Sequence, residues 1–141
     1  MSSRAWLRAD AVVLPPALAE VMLAHADSRP DEEVCGLLGA DAQGLRSIYP
    51  VPNAAARPSH AYLVGPEAQF RVFRTLRESG QRLGGVYHSH PFGPAVPSTT
   101  DFAEAGYPAA AWFIVSRSDR PRLRAWLLGR PGFTELRIEP A

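Results

Sequence analysis

Lysine is absent from this chain, and no long apolar run is present. All 15 basic residues are arginines, 14 residues are acidic, and the formal net charge is +1. The arginines are scattered, apart from a loose group between Arg117 and Arg130, so no basic patch indicates a nucleic-acid partner. No apolar stretch reaches the ~20 residues that a membrane-spanning helix needs. We therefore expect neither nucleic acid nor a membrane as a partner.

Cysteine is nearly absent as well, because Cys35 has no second cysteine with which to form a disulfide within the chain. An unpaired cysteine mildly favours a reducing compartment. The first apolar stretch, which follows Arg8, is interrupted by Asp10, Pro15 and Pro16 and is unlike a secretory signal. We predict a cytoplasmic protein in which Cys35 is a small buried side chain. The sequence does not predict an oligomeric state.

Length and element pattern together predict one α/β domain over residues 1–141. Hydrophobic residues make up 46% and charged residues 21%, as in ordinary globular domains. The pattern predicts strands at 11–14, 33–39, 45–51, 61–64, 83–89, 111–116, 122–128 and 133–138, and helices from Pro15, from Gly65 to Gly80, and over 98–105. Such a mixture favours an α+β mixed sheet in a three-layer sandwich. The strand at 33–39 is apolar on both alternating faces, which is typical of a covered interior strand.

The segment His88-Ser-His90 is the most informative part of the sequence. Alternate residues of a strand share a face, so the two imidazoles lie about 6–7 Å apart and can converge on one ion. A proline-rich stretch, 91–97, then leads to Ser98-Thr-Thr-Asp101, whose aspartate is the first carboxylate after His90. Two histidines and one carboxylate leave a coordination position open, as in catalytic zinc sites. The pattern predicts a metal site formed by His88, His90 and Asp101.

Other interpretations of this segment fit the sequence less well or are compatible with a metal site. A cupin-type site would have a glutamate shortly after the two histidines, where this chain has Pro94 and Ala95, and the protease motif HExxH is absent. Iron(II) is an alternative to zinc, since imidazole and carboxylate ligands suit both ions, but hydrolysis needs only a Lewis acid and favours zinc. Ser98 and Asp101 also match a capping box at a helix start, a structural role that is compatible with metal binding.

The pattern His88-x-His90-x7-Ser98-x-x-Asp101 resembles the motif of the JAMM (MPN+) zinc metalloproteases at every fixed position. Upstream, Glu33-Val-Cys-Gly-Leu-Leu-Gly resembles the family's glutamate at the start of a buried strand. More weakly, Asn53, with Pro58 and Tyr62 beyond it, is similar to the family's loop after the first hairpin. The resemblance implies an MPN fold, similar to cytidine deaminase-like folds. The short, single-domain form is similar to the bacterial Mec-type peptidases, which act on ubiquitin-like sulfur-carrier proteins.

The resemblance also implies a role for each residue of the motif. His88, His90 and Asp101 would bind one Zn²⁺, with water as the fourth ligand. Glu33 would be the general base, and its place at the mouth of an apolar strand should raise its pKa by desolvation. Ser98 would stabilise the oxyanion or orient the water. Ser89 points to the opposite face of the strand and is predicted to pack or to form hydrogen bonds.

The implied reaction is hydrolysis of the amide after the C-terminal Gly-Gly of a ubiquitin-like sulfur-carrier protein, of the ThiS or MoaD type. The leaving amine is not identified by the sequence. One alternative is a non-catalytic MPN-type scaffold that binds a protein, although scaffold relatives usually lack a metal ligand and this chain has the full set. A deaminase-like hydrolase of small amides is a further alternative, but the later Cys-x-x-Cys of such enzymes is missing.

Overall fold

A computed structural model describes residues 5–99, 101, 107, 110–129 and 132–141. Its elements are the strands β1 (Ala11–Leu14), β2 (Cys35–Asp41), β3 (Gly44–Val51), β4 (Arg82–His90), β5 (Ala111–Ser116), β6 (Leu123–Leu128) and β7 (Phe133–Pro140), and the helices α1 (Pro16–Ser28) and α2 (Pro66–Glu78). The strands form one sheet in the order β1-β7-β6-β5-β4-β2-β3. The pairs β1–β7 and β4–β5 are parallel and the other neighbours are antiparallel, so the sheet is mixed, as predicted.

The two helices cover opposite faces of the sheet. Met22 of α1 belongs to one apolar cluster together with Leu38 and Phe113. Val72 of α2 belongs to a second cluster, which includes Leu37. Leu37 and Leu38 are successive residues of β2 and point to opposite faces, so the two clusters lie on either side of the sheet. This arrangement is the three-layer sandwich that the sequence predicts.

Strand β2 lies inside the sheet, between β3 and β4. Residues 35–40 are all buried, which confirms the prediction of a strand covered on both faces. The strand begins at Cys35, two residues later than the predicted start at Glu33. Glu33 therefore lies just outside the regular pairing of the sheet.

Both helices begin with a proline in the first turn, Pro16 and Pro66, where the missing N–H costs no intrahelical hydrogen bond. After α2, Gly80 adopts φ +70°, a left-handed conformation that glycine tolerates and that ends the helix as predicted. Neither helix in the described part of the chain combines the length and the apolar character that crossing a membrane requires.

Two predicted elements, the strand at 61–64 and the helix at 98–105, are not among the strands and helices that the structure describes. The predicted strand at 61–64 is wrong, because the structure has only an isolated bridge between Asn53 and Val64. The segment between them turns back on itself. The side chain of Asn53 donates to the carbonyl of Ala61 and accepts from the N–H of Leu63, two backbone groups that a neighbouring strand would otherwise pair with. Of the predicted helix at 98–105, the structure describes only 98, 99 and 101, so most of it lies outside the described residues.

A stability prediction concerns Gly36, which pairs with Tyr87 between β2 and β4. A Cβ at this position would collide with the fully buried Tyr87 ring. We expect Gly36→Ala to lower the free energy of unfolding by about 1–3 kcal/mol, since the ring or the backbone must move. Urea denaturation measures this change.

The matched control is Gly129→Ala, whose added Cβ would meet no atom within 4 Å. It should change the free energy of unfolding by less than about 0.5 kcal/mol. Equal unfolding midpoints for the two variants would contradict the tight contact at Gly36.

Candidate metal centre

Strand pairing brings the distant Glu33 to the two histidines. Cys35 pairs with His88 in the antiparallel ladder of β2 and β4. Extending this register by two residues places Glu33 opposite His90, at the carboxyl end of β4. Side chains two residues apart share a face, so Glu33 and both histidines point to the face that α2 covers.

The donor atoms of His88, His90 and Asp101 lie close together, and we call the group the donor triangle, with one corner for each residue. The two histidine Nε2 atoms are 3.1 Å apart. Nε2 of His88 lies 3.1 Å from Oδ1 of Asp101, and Nε2 of His90 lies 3.1 Å from Oδ2, the other oxygen of the same carboxylate. With a carboxylate oxygen of Glu33, the four ligand atoms all lie within 4.8 Å of one another. Donors that share a tetrahedral ion at 2.0–2.2 Å lie about 3.3–3.6 Å apart, close to the edges of this triangle.

The hydrogen bonding of His90 directs a lone pair at this triangle. Its Nδ1 lies 2.8 Å from the carbonyl oxygen of Pro94, which can only accept, so Nδ1 carries the hydrogen and donates. Nε2 of the neutral ring is then unprotonated, and it faces an oxygen of Asp101 at 3.1 Å. Two acceptors at this distance repel each other unless a proton or a metal ion lies between them. The donor set therefore fits a bound cation.

Burial and close charges set the protonation of the two histidines. Burial lowers the pKa of the fully buried His88, and so favours the neutral imidazole that metals bind. For His90, burial also acts to lower the pKa, but the hydrogen bonds that the protonated ring makes to Asp101 and Pro94 outweigh burial, and the pKa is raised. A proton therefore competes with a metal ion more strongly at His90 than at His88.

The pKa values of the two carboxyl groups, Asp101 and Glu33, are shifted in opposite directions. Burial acts to raise the pKa of Asp101, but its hydrogen bonds to His88 and His90 outweigh burial and hold the pKa well below its usual range. Glu33 is 8% exposed, and burial, together with the negative charge of Asp101, raises its pKa to about 7 against the opposing effect of His90. This confirms the predicted rise in the pKa of Glu33.

Ser98 fixes the orientation of Asp101 by two reciprocal hydrogen bonds. The backbone N–H of Ser98 donates to Oδ2 of Asp101 at 2.8 Å, and the backbone N–H of Asp101 donates to Oγ of Ser98 at 3.0 Å. This is the capping box that the sequence predicts. The bond to Oγ uses a lone pair, so the hydroxyl hydrogen of Ser98 remains able to donate to another group.

Two aromatic contacts hold the ring of His88, and sequence reasoning missed both. Tyr62 stacks on this ring, with centroids 4.4 Å apart and planes at 19°. Trp112 meets it edge-on at 6.2 Å. Nδ1 of His88 is buried and has no hydrogen-bond partner among the described residues, so ring packing and the contact of Nε2 with Asp101 orient this imidazole.

Three further polar or reactive side chains, those of Ser89, Cys35 and His60, lie outside the group of ligand atoms. Oγ of the buried Ser89 accepts a hydrogen bond from the backbone N–H of Val34 at 2.8 Å, which confirms the prediction for Ser89. Cys35 is fully buried, as predicted, and burial raises the pKa of its thiol to about 12. His60 is exposed and contacts Ser59.

Comparison with known sequences gives a consistent family. A profile described as prokaryotic homologs of the JAB domain matches residues 15–129. The chain is 35% identical over 131 residues to a desampylase of Haloferax volcanii, and the matched region covers 89% of each chain. It is 37% identical over 92 residues to a probable TtuB-protein conjugate cleaving protease of Thermus thermophilus, covering 65% of this chain and 62% of that protein. It is 30% identical over 128 residues to a CysO-cysteine peptidase of Mycobacterium tuberculosis, covering 88% and 87%.

Solved structures are similar as well. A protein of Desulfitobacterium hafniense, determined in solution, superposes with a TM-score of 0.79 at 30% identity and covers 92% of both chains. A JAB1/MPN domain protein of Archaeoglobus fulgidus superposes with a TM-score of 0.57 at 17% identity, covering 94% of this chain and all of that one. At this low identity the second likeness shows the fold alone.

The donor triangle predicts how metal binding responds to substitution. We expect one equivalent of zinc in the purified protein, and its loss in His90→Ala and Asp101→Ala, because each variant removes one of three donors.

The affinity of the protein for zinc should also depend on pH. It should fall as the pH is lowered through the pKa of His90, since a proton then occupies Nε2. Elemental analysis and competition with a chromophoric chelator measure both effects.

The matched control is His60→Ala, which removes an exposed histidine outside the donor group. It should keep one equivalent of zinc at unchanged affinity. Full zinc occupancy in Asp101→Ala would contradict the assignment of Asp101 as a ligand.

Proposed function

The chain belongs to the JAB-domain family in its prokaryotic form, and from this premise we propose that it is a zinc peptidase that cleaves conjugates of ubiquitin-like proteins. The observation that carries the proposal is the grouping of Glu33, His88, His90 and Asp101, whose ligand atoms lie within 4.8 Å of one another. Three relatives are named as a desampylase, a conjugate cleaving protease and a peptidase, which supports hydrolysis of such conjugates.

Zinc is the ion that this proposal assigns to His88, His90 and Asp101. Two imidazoles and one carboxylate, with one position left open, are the donor set of catalytic zinc sites. When bound, zinc supplies Lewis acidity and lowers the pKa of a water in that position to about 7. The neutral state of His88 and the ionised state of Asp101 are the forms that such an ion requires.

Glu33 is the proposed general base. Its carboxylate takes a proton from the attacking water and later gives it to the leaving amine. A pKa raised to about 7 suits both transfers, because the group accepts and releases protons near neutral pH. Its Oε1 is buried and has no hydrogen-bond partner among the described residues, so this oxygen is free to accept one from a water.

Ser98 is the proposed stabiliser of the developing oxyanion. Its backbone and Oγ are already held by Asp101, so the direction of its hydroxyl is restricted. The hydroxyl hydrogen is the remaining donor, and a donor placed in advance contributes most when charge develops on the carbonyl oxygen.

The proposed substrate is a carrier protein of the ThiS or MoaD type that ends in Gly-Gly and is joined to an amine. Of the relatives, one is named for a cysteine conjugate of CysO and another for a protein conjugate of TtuB, so the names describe two kinds of leaving group. We place this activity in a single domain of residues 1–141. The lone cysteine supports a cytoplasmic location.

The role of Glu33 is tested with Glu33→Gln, which keeps the shape of the side chain and removes its basicity. We expect zinc content to be unchanged and turnover of a conjugate to fall by about 10²–10⁴-fold, the usual contribution of a positioned acid–base group. Steady-state kinetics with zinc-loaded protein measure the loss.

The neighbouring Glu32 provides the control. It lies 3.6 Å from Arg29 and its side chain is 41% exposed. Glu32→Gln should retain turnover within about twofold, as is usual for surface substitutions. Undiminished turnover in Glu33→Gln would refute the proposed base.

The substrate class is tested by mass spectrometry of carrier conjugates before and after incubation with the protein. We expect release of the carrier with an intact Gly-Gly terminus, loss of this activity after chelation, and recovery when zinc is added. A carrier conjugated to free cysteine and one conjugated to a lysine ε-amine separate the two kinds of leaving group. Stability of both conjugates in the presence of zinc-loaded protein would exclude this substrate class.

A further inference from the structure

The backbone that carries Glu33 is not held by the regular ladder of the sheet. Strand β2 begins at Cys35, and Glu33 precedes it by two residues. On the side of β4, Val34 is linked to Ser89, since its N–H donates to the hydroxyl of Ser89 and its carbonyl accepts from the N–H of Ser89. The hydroxyl of Ser89 also donates to the carbonyl of Glu32 at 3.5 Å. The peptide groups of Glu33 itself need partners elsewhere.

The 53–63 loop, which follows β3, provides both partners. The backbone N–H of Glu33 donates to the carbonyl of Pro58 at 2.7 Å. The carbonyl of Glu33 accepts from Nδ2 of Asn53 at 2.8 Å. A main-chain group and a side-chain amide thus hold the residue where a neighbouring strand would otherwise pair with it.

Asn53 is fully committed to this arrangement. Nδ2 also donates to the carbonyl of Ala61 at 2.9 Å. Oδ1 accepts from the backbone N–H groups of Ala55 at 2.9 Å and Leu63 at 3.0 Å. An asparagine amide has two donor hydrogens and two acceptor lone pairs, so every hydrogen-bonding position of this side chain is used. The side chain therefore closes the 53–63 loop and joins it to Glu33.

The same loop also reaches the metal centre from the other side. Tyr62 stacks on the ring of His88 at 4.4 Å. Asn53 is consequently bonded to the backbone of the proposed base and to a loop that rests on a proposed ligand. The 53–63 loop therefore contacts both the backbone of Glu33 and the ring of His88.

We propose that Asn53 is a positioning residue, which sets the carboxylate of Glu33 relative to His88, His90 and Asp101 through its hydrogen bond to the carbonyl of Glu33. This inference rests on the proposed function of Glu33 as the base. It predicts that losing the Nδ2 donor displaces the base while the ligands stay in place.

The test compares Asn53→Asp with Asn53→Ala. Asn53→Asp keeps the acceptor oxygens for the N–H groups of Ala55 and Leu63, but it loses the donors to Glu33 and Ala61. The loop keeps two of its links to residue 53, whereas Glu33 loses its link to that side chain and its remaining bond to Pro58 should weaken. We expect kcat to fall about 10²-fold in both variants, since a displacement of about 1 Å in a reacting group costs this much, with KM changed by less than about threefold. Zinc affinity should stay within about threefold, whereas a role through His88 would lower it by about 10–100-fold.

A double-mutant cycle with Glu33→Gln separates positioning from a general structural effect. If Asn53 acts through the base, Asn53→Asp should cause no further loss of turnover once Glu33 is replaced by glutamine. Ser59→Ala is the matched control, because it removes an exposed contact with His60 in the same loop, and its kcat should match that of the unmodified protein. Additive losses in the cycle, or loss of zinc together with activity, would overturn the proposal.

Amide hydrogen exchange gives an outcome that does not depend on substrate. In Asn53→Asp the N–H of Glu33 should exchange about tenfold faster, and the N–H of Val34, bonded to Ser89, should be unchanged. If the unmodified protein hydrolyses no conjugate, the proposed function fails, and faster exchange at Glu33 still supports positioning by Asn53. Unchanged exchange at Glu33 in Asn53→Asp overturns the positioning role, whatever the activity.

Discussion

The register between β2 and β4 determines whether this site can exist. A slip by one residue would turn every side chain of a strand to the opposite face and separate Glu33 from the two histidines. The register is fixed on both faces of the sheet, because Leu37 and Leu38 belong to different apolar clusters. It is fixed again by Gly36, which leaves room for the ring of Tyr87 and for no added side chain. The packing of the core and the geometry of the proposed chemistry are therefore set by the same strand pair.

Different partners give two nearby buried carboxyl groups different protonation behaviour. Asp101 has imidazole and backbone partners for its charge and stays ionised, which suits a group that holds a cation. Glu33 is buried beside a charge of its own sign, and its pKa is therefore raised towards neutrality, which suits a group that moves protons. Such divergence of neighbouring titratable groups is a general way in which a protein separates acid–base work from charge stabilisation. Both side chains end in a carboxyl group, and the difference in their pKa values comes from their surroundings.

The sequence predicts the parts of the site that depend on spacing, and fails where contacts depend on tertiary packing. Two residues of separation place His88 and His90 on one face of a strand, and the capping pattern of Ser98 and Asp101 is local. In contrast, no spacing rule connects Tyr62 with His88 or Asn53 with Glu33, because these contacts form only when a loop folds over the sheet. The predicted strand at 61–64 fails for the same reason, since the bonds of one asparagine side chain replace a ladder there. The roles of the grouped residues remain predictions that the substitutions above address.

The parallel pairing of β4 with β5 has a consequence for how this chain can vary. Two parallel neighbours cannot be joined by a tight hairpin, so a long connection between them, here residues 91–110, is a topological necessity. Asp101 lies in the middle of that obligatory crossover. The half before Asp101 has to bring its carboxylate back to the imidazoles of His88 and His90. The number of residues in this half is therefore constrained by the distance that it must span. The half after Asp101 returns to the start of β5, and added length there leaves the spacing of His88, His90 and Asp101 intact.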